Sequence, residues 1–180
     1  MDFQKLVRLS EVFRKLAGAV FCFPCVKTEG ENRMDQKIQK VVIDCDPGID
    51  DSLALMLALS MEEIQVEAIT IVCGNSPADM GFSNTKKILK HMGRLDIPIY
   101  VGAERPLKRD YVNALDTHGA DGLGESFLPE VPCYENSMTA QEFLKKRFVP
   151  GQEGGPCSVI ALGPMTNLAR LLSDCPETIL

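Results

Sequence analysis

From Ile38 onward the chain alternates short, uninterrupted apolar runs with longer amphipathic stretches, a pattern that few folds accommodate. KVVIDC predicts a strand and SLALMLALS a helix; VEAITIV, MGFSNTKKILKHMG and IPIYVG then read as strand, helix and strand. Beyond an irregular section, NSMTAQEFLKKRFV predicts a helix, CSVIAL a strand and PMTNLARLLS a final helix. Such alternation builds βαβ units, whose strands lie parallel. The strands are continuous apolar runs, as expected where helices cover both faces of a sheet. The expected fold class is α/β: a Rossmann-like, mostly parallel sheet with flanking helices. Residues 28–37, TEGENRMDQK, are polar and aperiodic, which predicts an N-terminal extension and linker over 1–37 and a folded domain portion over 38–180. The irregular section, from Ala103 to about Pro132, is longer than a plain connector, and loops of that length are usually functional or flexible.

Charge narrows what such a chain binds. Lys and Arg number 19 against 25 Asp and Glu, a net charge of -6, so nucleic acid, which requires a basic face, is not an expected partner. No apolar run reaches the roughly 18 to 20 residues of a membrane-spanning helix. The 7 cysteines are odd in number and scattered, several inside apolar runs, and there is no N-x-[ST] sequon. Both features point to a reducing, cytoplasmic setting. Residues 1–27 stand apart: Lys5, Arg8, Arg14, Lys15 and Lys27 outnumber Asp2 and Glu11, and Phe3, Leu6, Phe13, Leu16 and Val20 fall near helical spacing. Three readings stay open for them, a disordered or loosely packed extension, a membrane-surface or lipidated segment, or a targeting peptide. Cys22 and Cys25 form a CFPC pair, with no second pair or His cluster to complete a zinc site.

In open parallel sheets, ligands bind beyond the carboxyl ends of the strands. The chemically distinctive residues collect there: DCDPGIDD follows the first strand, CGNS the second, GAERPL the third and ALGPMTN the last. DCDPGIDD crowds Asp44, Asp46, Asp50 and Asp51 beside apolar runs, where unpaired charge is costly. Pro47 and Gly48 form a tight turn, and the helix dipole favours a carboxylate at its start, so Asp50 or Asp51 can act as a cap. Capping accounts for one or two of the four and leaves the rest in mutual repulsion. A hard cation, which takes carboxylate and carbonyl oxygens, removes that conflict; a plain capping and turn cluster is the alternative. An Asp-x-Asp strand exit also resembles phosphatases of the haloacid-dehalogenase type, but that pattern wants a Gly-Thr pair where this chain has Pro47 and Gly48.

DCDPGIDDSLALMLAL resembles the N-terminal signature of the inosine-uridine nucleoside hydrolases, and the likeness continues in family order. ITIVCGNS, with Asn84 in the next helix, resembles the family's Gly-Asn loop. IPIYVGAERPL resembles the stretch after the third strand, THGADGLG the His-Gly and Asp-Gly-Leu-Gly segment, and VIALGPMTNLA the Gly-Pro-Leu-Thr-Asn turn. The resemblance covers about residues 38 to 180. It implies the nucleoside hydrolase fold, one bound Ca²⁺, and hydrolysis of the N-glycosidic bond of ribonucleosides to ribose and free base. It implies that Asp46 is a metal ligand and the catalytic base for the attacking water, that Asp51 is a second ligand, and that the main-chain carbonyl of Leu162 is a third. Asp50, Asn75 and His118 would contact the substrate, with Asp44 and Asn167 in support.

From the residues alone, His118 reads equally well as a turn or surface residue, Asp121 as a turn former, and Thr166 and Asn167 as caps of the last helix. Met165 reads as packing and His91 as surface. The family's fold continues beyond the last helix and supplies further ribose and base contacts and a His-Asp pair. Activity of these 180 residues by themselves is therefore one expectation beside two others: a short form that binds metal and ribose without turnover, and a fragment without function. A homo-oligomer is the assembly the family implies for a full-length form.

Overall fold

The computed structural model describes residues 38–132, 137–151 and 155–179; the extension and linker expected over 1–37 lie outside them. Strand β1, Gln39–Cys45, leads into helix α1, Ile49–Ser60, and β2, Ile64–Ile71, leads into α2, Ala78–His91. Strand β3, Ile99–Val101, opens the long connection, which contains one helical turn, α3, Leu115–His118. Helix α4, Ala140–Phe148, strand β4, Ser158–Ala161, helix α5, Thr166–Asp174, and a 3-10 turn at Pro176–Ile179 complete the order. No helix among the described residues is long and apolar enough to cross a membrane.

All strand pairs are parallel, in the order β3-β2-β1-β4. The chain steps away from β1 through β2 and β3 and then returns to the opposite side of β1 with β4. Strand order reverses between β1 and β4, and in open α/β sheets such a switch point is where ligands bind, over the loops that follow the two strands. DCDPGIDD and ALGPMTN are those loops.

Successive β1 residues point to opposite faces, and both faces are covered. Val41, Ile43 and Cys45 pack with Leu55 and Met56 of α1 and with Ile88 and Leu89 of α2. Val42 and Ala68 face Leu144 of α4 and Leu171 of α5. That is why β1 and β2 carry unbroken apolar runs. Strand β4 departs from the expectation of full cover: its residues are half-buried or exposed, because it ends the described sheet and has a strand neighbour on one side only. Met165, expected to pack, is likewise 58% exposed at the start of α5, where no described element lies over it.

Two local devices fix the α4/α5 face. Thr139 and Glu142 form a capping box at the start of α4: the Glu142 amide donates to Thr139 Oγ1 at 3.2 Å and the Thr139 amide to Glu142 Oε2 at 2.7 Å. In β2 the pairing with β1 skips a residue, Val41 opposing Val66 and Val42 opposing Ala68. The extra residue, Glu67, receives Lys40 Nζ at 3.0 Å and Arg147 Nε at 2.8 Å, which ties the end of α4 to the sheet.

Candidate metal and substrate site

The four aspartates of DCDPGIDD separate into different environments once the strand and helix are placed. Asp44 is the last but one residue of β1 and is fully buried on the α5 side of the sheet. Its Oδ1 accepts Thr70 Oγ1 at 2.6 Å and Asn167 Nδ2 at 2.8 Å, and its carbonyl accepts the Leu162 amide at 2.8 Å. Asp44 therefore joins β1, β2 and the turn after β4. Asn167 extends that joint, donating also to the Ile71 carbonyl at 3.1 Å and accepting the Ala103 amide at 2.8 Å. This corrects the reading of Thr166 and Asn167 as caps: α5 starts after Met165 with no side-chain cap, and the Asn167 amide is committed to the sheet.

Asp46 leaves the strand end and Asp51 sits in the first turn of α1; each is 5% exposed. The Asp46 amide donates to Asp51 Oδ2 at 2.9 Å, and Asp46 Oδ2 accepts the Asn75 amide at 2.6 Å. Neither Asp50 nor Asp51 caps α1, contrary to one sequence reading, since the Asp51 carboxylate turns back to the strand exit. Glycines hem Asp46 on both sides. A Cβ on Gly163 would come within 2.6 Å of Asp46 Oδ1, and one on Gly74 would collide with Asp46 Oδ2. Gly163, the residue after Leu162, thus adjoins Asp46, while the Leu162 side chain is 39% exposed.

Burial raises the pKa of both carboxyls, Asp51 to about 7, with the neighbouring Asp46 charge adding to the rise at Asp51. Asp44 is raised by burial too, against the lowering by Thr70 and Asn167. No ion pair to Asp46 or Asp51 occurs among the described residues. Two buried carboxylates without a counter-cation, beside a main-chain turn, form an all-oxygen donor set that suits a hard cation. Among the described residues no group of three or more His, Cys, Asp or Glu side chains gathers to hold a metal ion. The fit is thus to a cation whose remaining ligands are carbonyl, water or hydroxyl oxygens.

The expected substrate contacts lie around this pair. The Asp50 side chain is 75% exposed, and the Asn75 carbonyl accepts the Ala114 amide at 2.9 Å. The Asn75 side-chain amide has no protein partner among the described residues and stands beside Gly48. His118 ends the α3 turn rather than lying in open loop, and its Nδ1 accepts the Ile49 amide at 3.1 Å. Asp121 is a turn former: Oδ1 accepts the Leu123 and Glu125 amides, each at 2.8 Å, and Oδ2 the Phe127 amide at 3.2 Å. Asn84 reinforces that loop by donating to the Asp121 carbonyl at 2.9 Å. His91 is exposed at the end of α2, as expected. Not anticipated from the sequence were Thr70, Gly74 and Gly163, although glycine at the exits CGNS and ALGP is a visible signal of close backbone approach. Also not anticipated was a cleft of about 540 Å³ between residues 106–112 and the turn after β4, floored by Cys73 and Gly74.

The family model for inosine-uridine preferring nucleoside hydrolase matches residues 41–179. The pyrimidine-specific ribonucleoside hydrolase RihA of Citrobacter koseri is 42% identical over 137 residues, and that of Salmonella typhimurium is 40% identical; each match covers 76% of this chain and 43% of the relative. Among solved structures, the plant nucleoside hydrolase PpNRh1 superposes with a TM-score of 0.73 at 34% identity, over 78% of this chain and 44% of that one. An inosine-guanosine nucleoside hydrolase gives 0.68 at 33% identity, over the same shares. The chain thus spans less than half the length of these relatives. Sheet order, strand-exit motifs and these likenesses agree: the chain belongs to the inosine-uridine preferring nucleoside hydrolase family.

Proposed function

We propose that this chain carries part of a Ca²⁺-dependent site that hydrolyses the N-glycosidic bond of ribonucleosides to ribose and free base. The observation that carries the reading is the buried Asp46 and Asp51 pair, joined by the 2.9 Å bond from the Asp46 amide and without a cationic partner among the described residues. Asp46, Asp51 and the Leu162 carbonyl would hold the cation. When bound, Ca²⁺ supplies electrostatic polarisation of ribose hydroxyls and water. Asp46 takes a proton from a water beside it as the water oxygen bonds to the anomeric carbon; the carbon-nitrogen bond breaks, its electron pair leaves with the base, which takes a proton from solvent, and Asp46 returns its proton to solvent. Clamping between Gly74, Gly163 and the Asn75 amide leaves the Asp46 carboxylate little freedom to turn from that water. Asp50, Asn75 and His118 surround the sugar and so orient the reacting carbon. We place this chemistry in a reducing, cytoplasmic setting, in keeping with free thiols at Cys45, Cys73, Cys157 and Cys175, and we expect the full-length form to be a homo-oligomer.

A second reading, binding of metal and ribose without turnover, draws support from the ligand count, since among the described residues only the Asp46 and Asp51 carboxylates are joined there. Incubation with inosine or uridine and Ca²⁺, read as reducing sugar, separates the two. Sugar release that is lost in chelator and in Asp46→Asn supports hydrolysis. Calorimetric Ca²⁺ binding without release supports the second reading, and no difference in Ca²⁺ binding between the wild type and an Asp46→Asn, Asp51→Asn variant refutes both.

A further inference from the structure

The side chain that ties the glycine-rich loop to the carboxylates is His118. Its Nδ1 accepts the Ile49 amide at 3.1 Å at the start of α1, where Gly48 provides no side-chain cap. The ring lies against Gly48 so closely that a Cβ there would come within 2.6 Å of Nδ1 and 2.7 Å of Cε1. The His118 carbonyl accepts the Gly124 amide at 2.7 Å, the side chain is 11% exposed, and Asp50 Oδ1 stands 4.0 Å from Nδ1. A residue 69 positions away thus performs the capping that the sequence of α1 omits.

We infer that His118 is a positioning residue for the site carboxylates, acting as an external cap of α1 with its proton held on Nε2. The inference rests on the proposed function only for what those carboxylates bind. A ring nitrogen that accepts a hydrogen bond carries no proton, so the neutral ring keeps its proton on Nε2. An imidazolium would set one N–H against another at Ile49 and release the cap. In this geometry His118 offers a ligand a hydrogen-bond donor at Nε2. Without the cap, the first turn of α1 frays at Asp50 and Asp51. Cation affinity then falls by the fraction of molecules that still hold Asp51 against the Asp46 amide.

Two substitutions separate capping from ligand contact. Asn places an amide oxygen near the position of Nδ1, while Gln reaches the position of Nε2. In Ca²⁺ titrations we expect His118→Ala to bind about fivefold more weakly, His118→Gln to resemble it, and His118→Asn to stay within about twofold of the wild type. Nitrogen NMR of the unsubstituted chain is expected to show His118 as the Nε2–H tautomer, with a slowly exchanging Ile49 amide that speeds up in His118→Ala and not in His118→Asn. Wild-type affinity in His118→Ala, rescue by Gln instead of Asn, or an Nδ1–H tautomer overturns the inference. A wild type that gives no Ca²⁺ heat refutes the metal reading alone, and the tautomer and Ile49 exchange then decide this one.

Discussion

Replacing Asn167 separates the role seen in the structure from the helix-cap role that its sequence position suggests. The residue is 1% exposed and makes three hydrogen bonds, to Asp44 Oδ1, to the Ile71 carbonyl and from the Ala103 amide. Asn167→Ala removes all three at about 1 kcal/mol each, and the Ala103 N–H left without a partner adds roughly 1 to 3 kcal/mol. The expected loss is about 4 to 6 kcal/mol, or roughly 10–20 °C in Tm for a domain of this size, measured by urea and thermal denaturation. Asn167→Asp is the sharper test. As a cap, Asp ranks with Asn and would be nearly neutral. At its position in the structure, Asp keeps the acceptor for Ala103 but sets a second buried carboxyl where a donor now meets Asp44 at 2.8 Å. Two such carboxyls bind protons more tightly in the folded than in the unfolded chain, so stability must fall as pH rises. Asn167→Asp is therefore expected to be at least as destabilising as Ala at neutral pH and to recover toward pH 5. An Asp variant within about 0.5 kcal/mol of the wild type at pH 7 would refute the reasoning and restore the cap.

The metal-free chain should lose stability between about pH 4 and pH 7. Burial and the Asp46 charge raise Asp51 from 3.8 to about 7, so the stability contributed by its protonated form is complete below the unfolded value and is lost as pH passes through the folded one. The loss is on the order of 4 kcal/mol by urea denaturation, is reversed by saturating Ca²⁺, and is flattened in Asp51→Asn. Gly163→Ala should weaken Ca²⁺ binding about 10- to 100-fold while leaving the far-ultraviolet dichroism unchanged, because the new Cβ would meet Asp46 Oδ1 at 2.6 Å; unchanged calorimetric affinity would show that Asp46 is not confined there. Asp121→Ala removes the acceptor for three amides and leaves Glu125 and Phe127 at φ 57 and 50 without that restraint. A loss of about 2 kcal/mol and faster proteolysis within residues 119–128 are expected, and an unchanged cleavage rate would count against its turn-forming role.

Much of the fold was legible because it is written locally. Continuous apolar runs in VVIDC and AITIV mark doubly covered strands, whereas the helix read from NSM onward starts only after Thr139, where the capping box closes. The candidate site was legible as a set of strand exits but not as a set of bonds. Asp44 meets Thr70 across 26 positions and Asn167 across 123, and no periodicity in the chain encodes which carboxyl oxygen finds which amide. Met165 misled for a related reason: an apolar residue beside a helix start packs only if another element lies over it.

The sequence by itself determined the strand-helix alternation, the placing of acidic and amide residues at strand ends, and the family likeness, because side-chain periodicity and residue type are properties of neighbouring positions. Only the tertiary structure decided that Asp44 is a structural joint, that Asp46 and Asp51 form one buried pair, and that His118 and Asn167 spend their polar atoms on distant backbone. Those assignments depend on which donors reach a buried acceptor once the sheet has closed, and burial, by removing water as the alternative partner, makes each choice costly to change.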